Sequence, residues 1–147
     1  MADLYLLDTN GLLRRARLND PQHQAARMAI TKLVNNGDLL HITCQNVIEF
    51  WNVLTRPKTN NGFGLTPAQA DAEIHQLENF FPLLPDIPDI YKHWRQLVVT
   101  YQVSGVQVHD ARLVGAMLAH GITHLLTFNI SDFKRFSSIT VVDPNSL

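Results

Sequence analysis

The chain has 147 residues, 46% of them apolar and 17% charged, which excludes a disordered or fibrous protein and suffices for one folded domain over residues 1–147. Its 12 Lys plus Arg stand against 13 Asp plus Glu, so a broad basic surface for nucleic acid is excluded, although a local basic patch is not. The single cysteine, Cys44, rules out an internal disulfide and a thiolate zinc cage.

The first apolar run, Leu4 to Leu7, reads as a strand that ends in Asp8. Asn19-Asp20-Pro21 then predicts a helix with Asp20 as N-cap and Pro21 at its first position, an apolar face of Ala26, Ala29, Ile30 and Leu33, and Gly37 at its end. Leu39 to Thr43 is a second strand. Val47, Phe50, Trp51 and Leu54 repeat with the period of one buried helix face, and Arg56-Pro57 stops that helix. Lys58 to Leu65, with two Asn and two Gly, reads as a flexible loop.

Thr66-Pro67-Ala68-Gln69 joins an N-cap, a first-turn proline and a capping-box partner, opening a helix with Ala70, Ile74, Leu77 and Phe81 on one side. A very short strand at Leu83 and Leu84 precedes a helix facing inward through Tyr91, Trp94, Leu97 and Val98. After the Ser104-Gly105 break, Asp110 to Ala119 is apolar nearly all round, as in a central buried helix that Gly121 terminates. His124 to Phe128 and Thr140 to Val142 are the last strands. Strands alternating with helices, without hairpin signals, imply parallel pairing by right-handed crossovers in a three-layer α/β sandwich. No run reaches membrane-spanning length and the N-terminal residues lack a signal-peptide pattern, so a soluble, cytoplasmic protein is expected.

Four acids stand at or near element ends: Asp8, Glu49, Asp110 and Asp132. Each alone has a plainer role: Asp8 and Asp110 as helix caps, Glu49 as a solvated helix residue, Asp132 as a turn residue. Together they suit one crevice at the carboxyl ends of parallel strands. Two carboxylates ~4 Å apart repel by about 4 kcal/mol at an effective dielectric near 20, so four converging require raised pKa values or a divalent cation. Oxygen donors without Cys or paired His select magnesium or manganese over zinc. Local basic residues that could meet phosphates are Arg14, Arg15 and Arg17 near Asp8, Arg112 near Asp110, and Lys134 and Arg135 past Asp132.

The succession Leu7-Asp8-Thr9-Asn10, Asn46-Val47-Ile48-Glu49-Phe50, His109-Asp110-Ala111 and Thr127-Phe128-Asn129-Ile130-Ser131-Asp132-Phe133 resembles a PIN-domain nuclease, most closely the toxin ribonucleases of VapBC-type toxin–antitoxin pairs. The similarity runs over nearly the whole chain, and Thr55-Arg56-Pro57 is similar to one branch of the family. Gly11 departs from the bulky apolar residue usual after the D-T-N triplet. The resemblance implies a parallel five-stranded sheet in the order 3-2-1-4-5. It implies metal-binding catalytic roles for Asp8, Glu49, Asp110 and Asp132, with Thr9, Asn10, Thr127 and Asn129 in support. It also implies metal-dependent cleavage of RNA to 5′-phosphate and 3′-hydroxyl ends, and inhibition by a cognate antitoxin. A homodimer is expected partly on that ground and partly because Trp51, Phe80, Phe81 and Trp94 offer more aromatic surface than a small sheet covers.

The alternative is a catalytically silent module that binds RNA or protein, against which the four acids argue. A phosphoacceptor domain would need adjacent early acids and a late-strand lysine, and a phosphatase would need an acid where Asn10 stands. None of the seven histidines forms a helical ligand pair: His120 and His124 are separated by the helix end at Gly121, and His109 reads as a capping or surface residue. Trp51 and Trp94 read as core anchors and Cys44 as a small buried residue.

Overall fold

Five parallel strands, described in a computed structural model over residues 2–147, form one sheet in the order β3-β2-β1-β4-β5. They are β1 (Leu4–Leu7), β2 (Leu39–Thr43), β3 (Leu83–Leu84), β4 (His124–Leu126) and β5 (Thr140–Val142), the fourth two residues shorter than its apolar run suggests. β1 lies at the centre, with Tyr5 opposite both Leu40 and His124, and Leu6 opposite both His41 and Leu125. The strand order therefore reverses at β1, the place where ligands gather in open α/β sheets.

Between the strands run α1 (Thr9–Ala16), α2 (His23–Asn35), α3 (Cys44–Thr55), α4 (Pro67–Phe80), α5 (Pro88–Thr100), α6 (Val108–His120) and the short α7 (Ile130–Phe133). Because side chains alternate along a strand, Tyr5 and Leu7 point into one core with Leu12, Leu33, Phe50, Leu54 and Ile74 of α1 to α4. Leu6 points into the other, with Leu97, Leu113, Val114, Met117 and Phe133 of α5 to α7. α6 lies deepest, with Ala111, Leu113, Val114, Gly115, Ala116 and Met117 all buried. Its end at Gly121, φ 70°, is left-handed backbone that favours glycine.

The capping signals hold at α4, where Thr66 and Gln69 form a reciprocal capping box behind Pro67. They fail at α2. That helix begins at His23 with Gln22 at its cap, while Asp20 accepts Gln22 N at 2.8 Å and Arg14 Nη1 at 2.7 Å. The ion pair with Arg14 fixes the carboxylate inside the turn joining α1 to α2. The segment from Lys58 to Leu65 is tied down rather than loose: Phe63 N, Gly64 N and Leu65 N donate to the carbonyls of Val53, Arg56 and Leu54. On α5 the buried positions are Ile90 and Leu97, whereas Tyr91 is 58% exposed, because the helix is rotated toward α6 on the Ile90 side. Cys44 is half-buried at the first position of α3.

Candidate active site

The carboxyl ends of β1, β2 and β4 bring Asp8, Thr43 and Thr127 to one edge of the sheet. Asp8 N donates to Leu126 O at 3.0 Å, which continues the ladder one residue past β1 and fixes the direction of the side chain. The Asp8 carboxylate is 6% exposed. One oxygen, Oδ1, accepts Thr9 N at 2.8 Å and so caps α1; the other, Oδ2, accepts the buried Thr127 hydroxyl at 2.7 Å. Thr127 Oγ1 in turn accepts Asn129 N at 2.9 Å, which shapes the turn leading to α7.

Glu49 is oriented from a different direction. Its Oε1 accepts the Thr9 hydroxyl at 2.8 Å, and Thr9 Oγ1 accepts Asn46 Nδ2 at 3.1 Å. Asn46 is wholly buried, and its Oδ1 accepts both Thr43 N at 2.9 Å and Thr43 Oγ1 at 2.8 Å. A capping box at the start of α3 thus extends through one hydroxyl to the Glu49 carboxylate. Asp110 comes from the first turn of α6, whose cap is Gln107, so Asp110 lies inside the helix two residues past its start. Gln45 Nε2 donates to His109 O at 2.8 Å and Arg112 Nη1 donates to Gln45 Oε1 at 3.1 Å, which pins the start of α6 against α3.

Asp8, Glu49 and Asp110 line one open crevice of about 290 Å³, together with Thr9, Asn10, Asn129, Leu13, Asn52 and Val53. Thr127 lies buried behind Asp8. Asp132, half-buried on α7, stands off the crevice wall, yet its charge reaches both Asp8 and Asp110. Burial pushes the Asp8 carboxyl up to about 6; hydrogen bonds from Thr127 and Thr9 oppose the rise, and Glu49 and Asp132 add to it. Asp110 is also pushed up to about 6, first by burial and then by the charges of Asp8, Asp132 and Glu49, with His109 opposing. The four acids therefore share one electrostatic environment.

Among the described residues no group of three or more His, Cys, Asp or Glu side chains is gathered closely enough to hold a metal ion. The donor chemistry on the crevice wall nevertheless fits a hard divalent cation, because every ionisable group there is a carboxylate. Asn46 is a site residue that the pattern of acids in the sequence leaves without a role. The signal was its spacing: three residues after a strand-ending Thr43 and three before Glu49.

The PIN domain matches residues 5–138, which takes in four of the five strands, β1 from its second residue, and all four acids, and the chain belongs to that family. Its fold is that of VapBC-1 from nontypeable Haemophilus influenzae, at a TM-score of 0.72 and 19% identity over 96% of this chain and 98% of that one. VapBC2 from Rickettsia felis, solved with a DNA fragment from the promoter of that pair, has a TM-score of 0.71 and 14% identity over 95% and 98% of the two chains. VapC20 of Mycobacterium tuberculosis, a toxin that cleaves the sarcin-ricin loop, has a TM-score of 0.60 and 16% identity over 82% and 86%. No curated protein sequence matches the chain. No helix among the described residues is long and apolar enough to cross a membrane.

Proposed function

We propose that residues 1–147 form a divalent-metal-dependent endoribonuclease that serves as the toxin of a toxin–antitoxin pair. The observation that carries this reading is the crevice where Asp8 and Asp110, delivered by separate elements, are both raised to about 6 beside Glu49. Perturbed carboxyls gathered at a strand-order switch point are a functional arrangement rather than a stabilising one. Asp8, Glu49 and Asp110, with Asp132 at the margin, would hold magnesium or manganese, which supplies an activated water and neutralises charge on a phosphodiester. Thr9 and Thr127 hold the Glu49 and Asp8 carboxylates by donated hydrogen bonds. Asn10 and Asn129 line the approach, where they can orient the sugar–phosphate backbone. No side-chain nucleophile is required.

RNA as the substrate is supported by the likeness to a toxin that cleaves the sarcin-ricin loop. An antitoxin partner is supported by the likeness to VapBC pairs. A partner could silence the crevice by placing an Arg or Lys among the carboxylates. Of the four aromatic side chains expected to offer dimer surface, Phe81 is buried and Trp51 and Trp94 pack against the cores, so a homodimer rests on the exposed Phe80 on α4, joined by Tyr91 on α5. The test is cleavage of single-stranded RNA with magnesium or manganese, its loss in EDTA, and a drop by orders of magnitude in Asp110→Asn with the fold retained. Wild-type protein inert on diverse RNAs in the presence of metal would turn the reading toward a binding module.

A further inference from the structure

Behind the acid crevice, between α1 and the segment that follows α3, lies a second cavity of about 130 Å³. The two share Asn10, Leu13 and Val53 as a common wall. Arg14, Arg17 and Arg56 line the second cavity with a single acid, Asp20, so three guanidinium groups face one carboxylate. Asp20 is already engaged, pairing with Arg14 Nη1 at 2.7 Å and accepting the Gln22 N–H at 2.8 Å. Arg17 is held over the Phe63 ring at 4.2 Å, and Arg56 Nη2 donates to Asn61 O at 3.0 Å. All three cations are therefore fixed in place before anything binds.

Their hydrogen bonding is incomplete. Arg14 Nε and Arg56 Nε are buried without an acceptor, and Asn10 Oδ1, on the shared wall, is buried without a donor. Buried polar atoms without protein partners are rare in folded proteins, and a bound water or ion commonly completes the set. An anion with several oxygens satisfies guanidinium N–H groups in pairs, as a point acceptor cannot. Rotation of the Asn10 amide about its last torsion offers Nδ2 to the same oxygens. The cavity is too small for a nucleotide and suits one phosphate group.

The other candidate arginines are engaged elsewhere, and Lys134 stands exposed just past α7. Arg15 lies against Phe80 and Phe81, Arg112 bonds Asp86 and Gln45, and Arg135 bonds Gln107.

We infer that this cavity holds a non-scissile phosphate of the nucleic-acid strand and sets which phosphodiester reaches Asp8 and Asp110; the inference rests on the nuclease reading. A crevice of three carboxylates with Asp132 nearby repels a polyanion, and the chain as a whole carries a net charge of −1. Attraction must then come from a local cluster, and this one is contiguous with the acids. Backbone phosphate contacts position a strand and carry no sequence information.

The experiment measures binding of a 2′-O-methyl RNA oligonucleotide in EDTA across a range of salt. For single strands each phosphate contact contributes about 0.7 to the slope of log K against log salt. Arg17→Ala and Arg56→Gln are expected to flatten the slope by about that amount each, while Arg95→Ala, on the opposite face of the sheet, leaves it unchanged. A methylphosphonate at one position of the oligonucleotide should weaken wild type and leave Arg17→Ala indifferent. Equal slopes for wild type and both arginine variants, or a wild type insensitive to methylphosphonate everywhere, overturn the inference. So does stabilisation by inorganic phosphate with no change in oligonucleotide binding, which assigns the cavity to the free ion. Because no turnover is needed, the two readings fail separately. A protein that binds through the cavity yet never cleaves retires only the nuclease, and one that cleaves with unaltered slopes retires only the cavity.

Discussion

The Asn46 amide donates to the Thr9 hydroxyl at 3.1 Å, and through that one oxygen the start of α3 determines where the Glu49 carboxylate stands. Thr9 is buried at 9% exposure, so this hydroxyl has little water to replace either partner. Thr9→Val keeps the shape and removes the oxygen, leaving the Asn46 Nδ2 donor buried and alone. The expected cost is about 1–3 kcal/mol, measured by urea unfolding, with RNA cleavage reduced because Glu49 loses its donor. Thr9→Ser should restore both. Equal stability and activity in wild type and Thr9→Val would show that the chain of bonds positions nothing.

The raised carboxyls have a signed consequence for stability in EDTA. Asp8 has a folded-state pKa of about 6 against 3.8 for the unfolded chain, so the native state holds the proton more tightly. Its contribution is fully present below pH ~4 and is lost as pH rises through about 6, by roughly 3 kcal/mol for a shift of this size. Asp110 acts in the same direction but is about half-exposed, so solvent screening makes its share smaller. Asp8→Asn should flatten the fall in stability between pH 4 and 6.5 seen by denaturant titration. A variant curve parallel to wild type throughout that range excludes Asp8 as its source.

Divalent metal should reverse that loss near neutral pH, since it binds the ionised carboxylates that destabilise the metal-free fold. One ion at about a hundred times its dissociation constant adds ~2.7 kcal/mol. Magnesium or manganese should raise the melting temperature of wild type and leave Asp8→Asn/Asp110→Asn unmoved. Metal affinity should weaken below pH ~6 as protons compete. Isothermal titration at two pH values checks the second point.

Two glycines predict opposite sorts of damage. A Cβ at Gly115 would stand 3.1 Å from Trp94 N and 3.2 Å from Ile90 O, both backbone atoms of α5. Gly115→Ala should destabilise by about 1–3 kcal/mol through overpacking, more than the ~1 kcal/mol gain in helix propensity. At Gly62 a Cβ would fall 2.0 Å from Arg56 O. Gly62→Ala must displace the segment that holds Arg56, so it should weaken oligonucleotide binding more than it lowers global stability. Calorimetry alongside the binding titration distinguishes the two.

Local rules made much of this fold legible. The apolar run ending in Asp8, the period of Phe50 and Leu54, and the Thr66-Pro67-Ala68-Gln69 start each report a backbone state that neighbouring residues decide. The departures come where distant residues decide. Asp20 resembles a helix cap until Arg14 draws its carboxylate away. Tyr91 has the spacing of a core residue, but the packing of α5 on α6 buries Ile90 instead. Lys58 to Leu65 looks loose by composition, yet carbonyls of α3 hold it. For the candidate site, the acids could be read as a set because Asp8 closes a strand and Glu49, Asp110 and Asp132 lie in the opening turns of helices. Arg56 could not be added to Arg14 and Arg17, since only the path of the chain after α3 brings it beside them.

The central position of β1 also sets when the crevice can exist. Asp8 is made well before the hydroxyl that bonds its Oδ2, which belongs to Thr127, 119 residues later. The β4 strand that covers one edge of β1 is equally late. At roughly 5–20 residues per second, translation separates the two by on the order of ten seconds. For most of that interval the emerging chain can pair β1 with β2 on one side only, and Asp110, on the second wall of the crevice, is made only near its end. The acid crevice is therefore complete only once the chain through Thr127 is free to fold, and no shorter N-terminal stretch of the domain carries it.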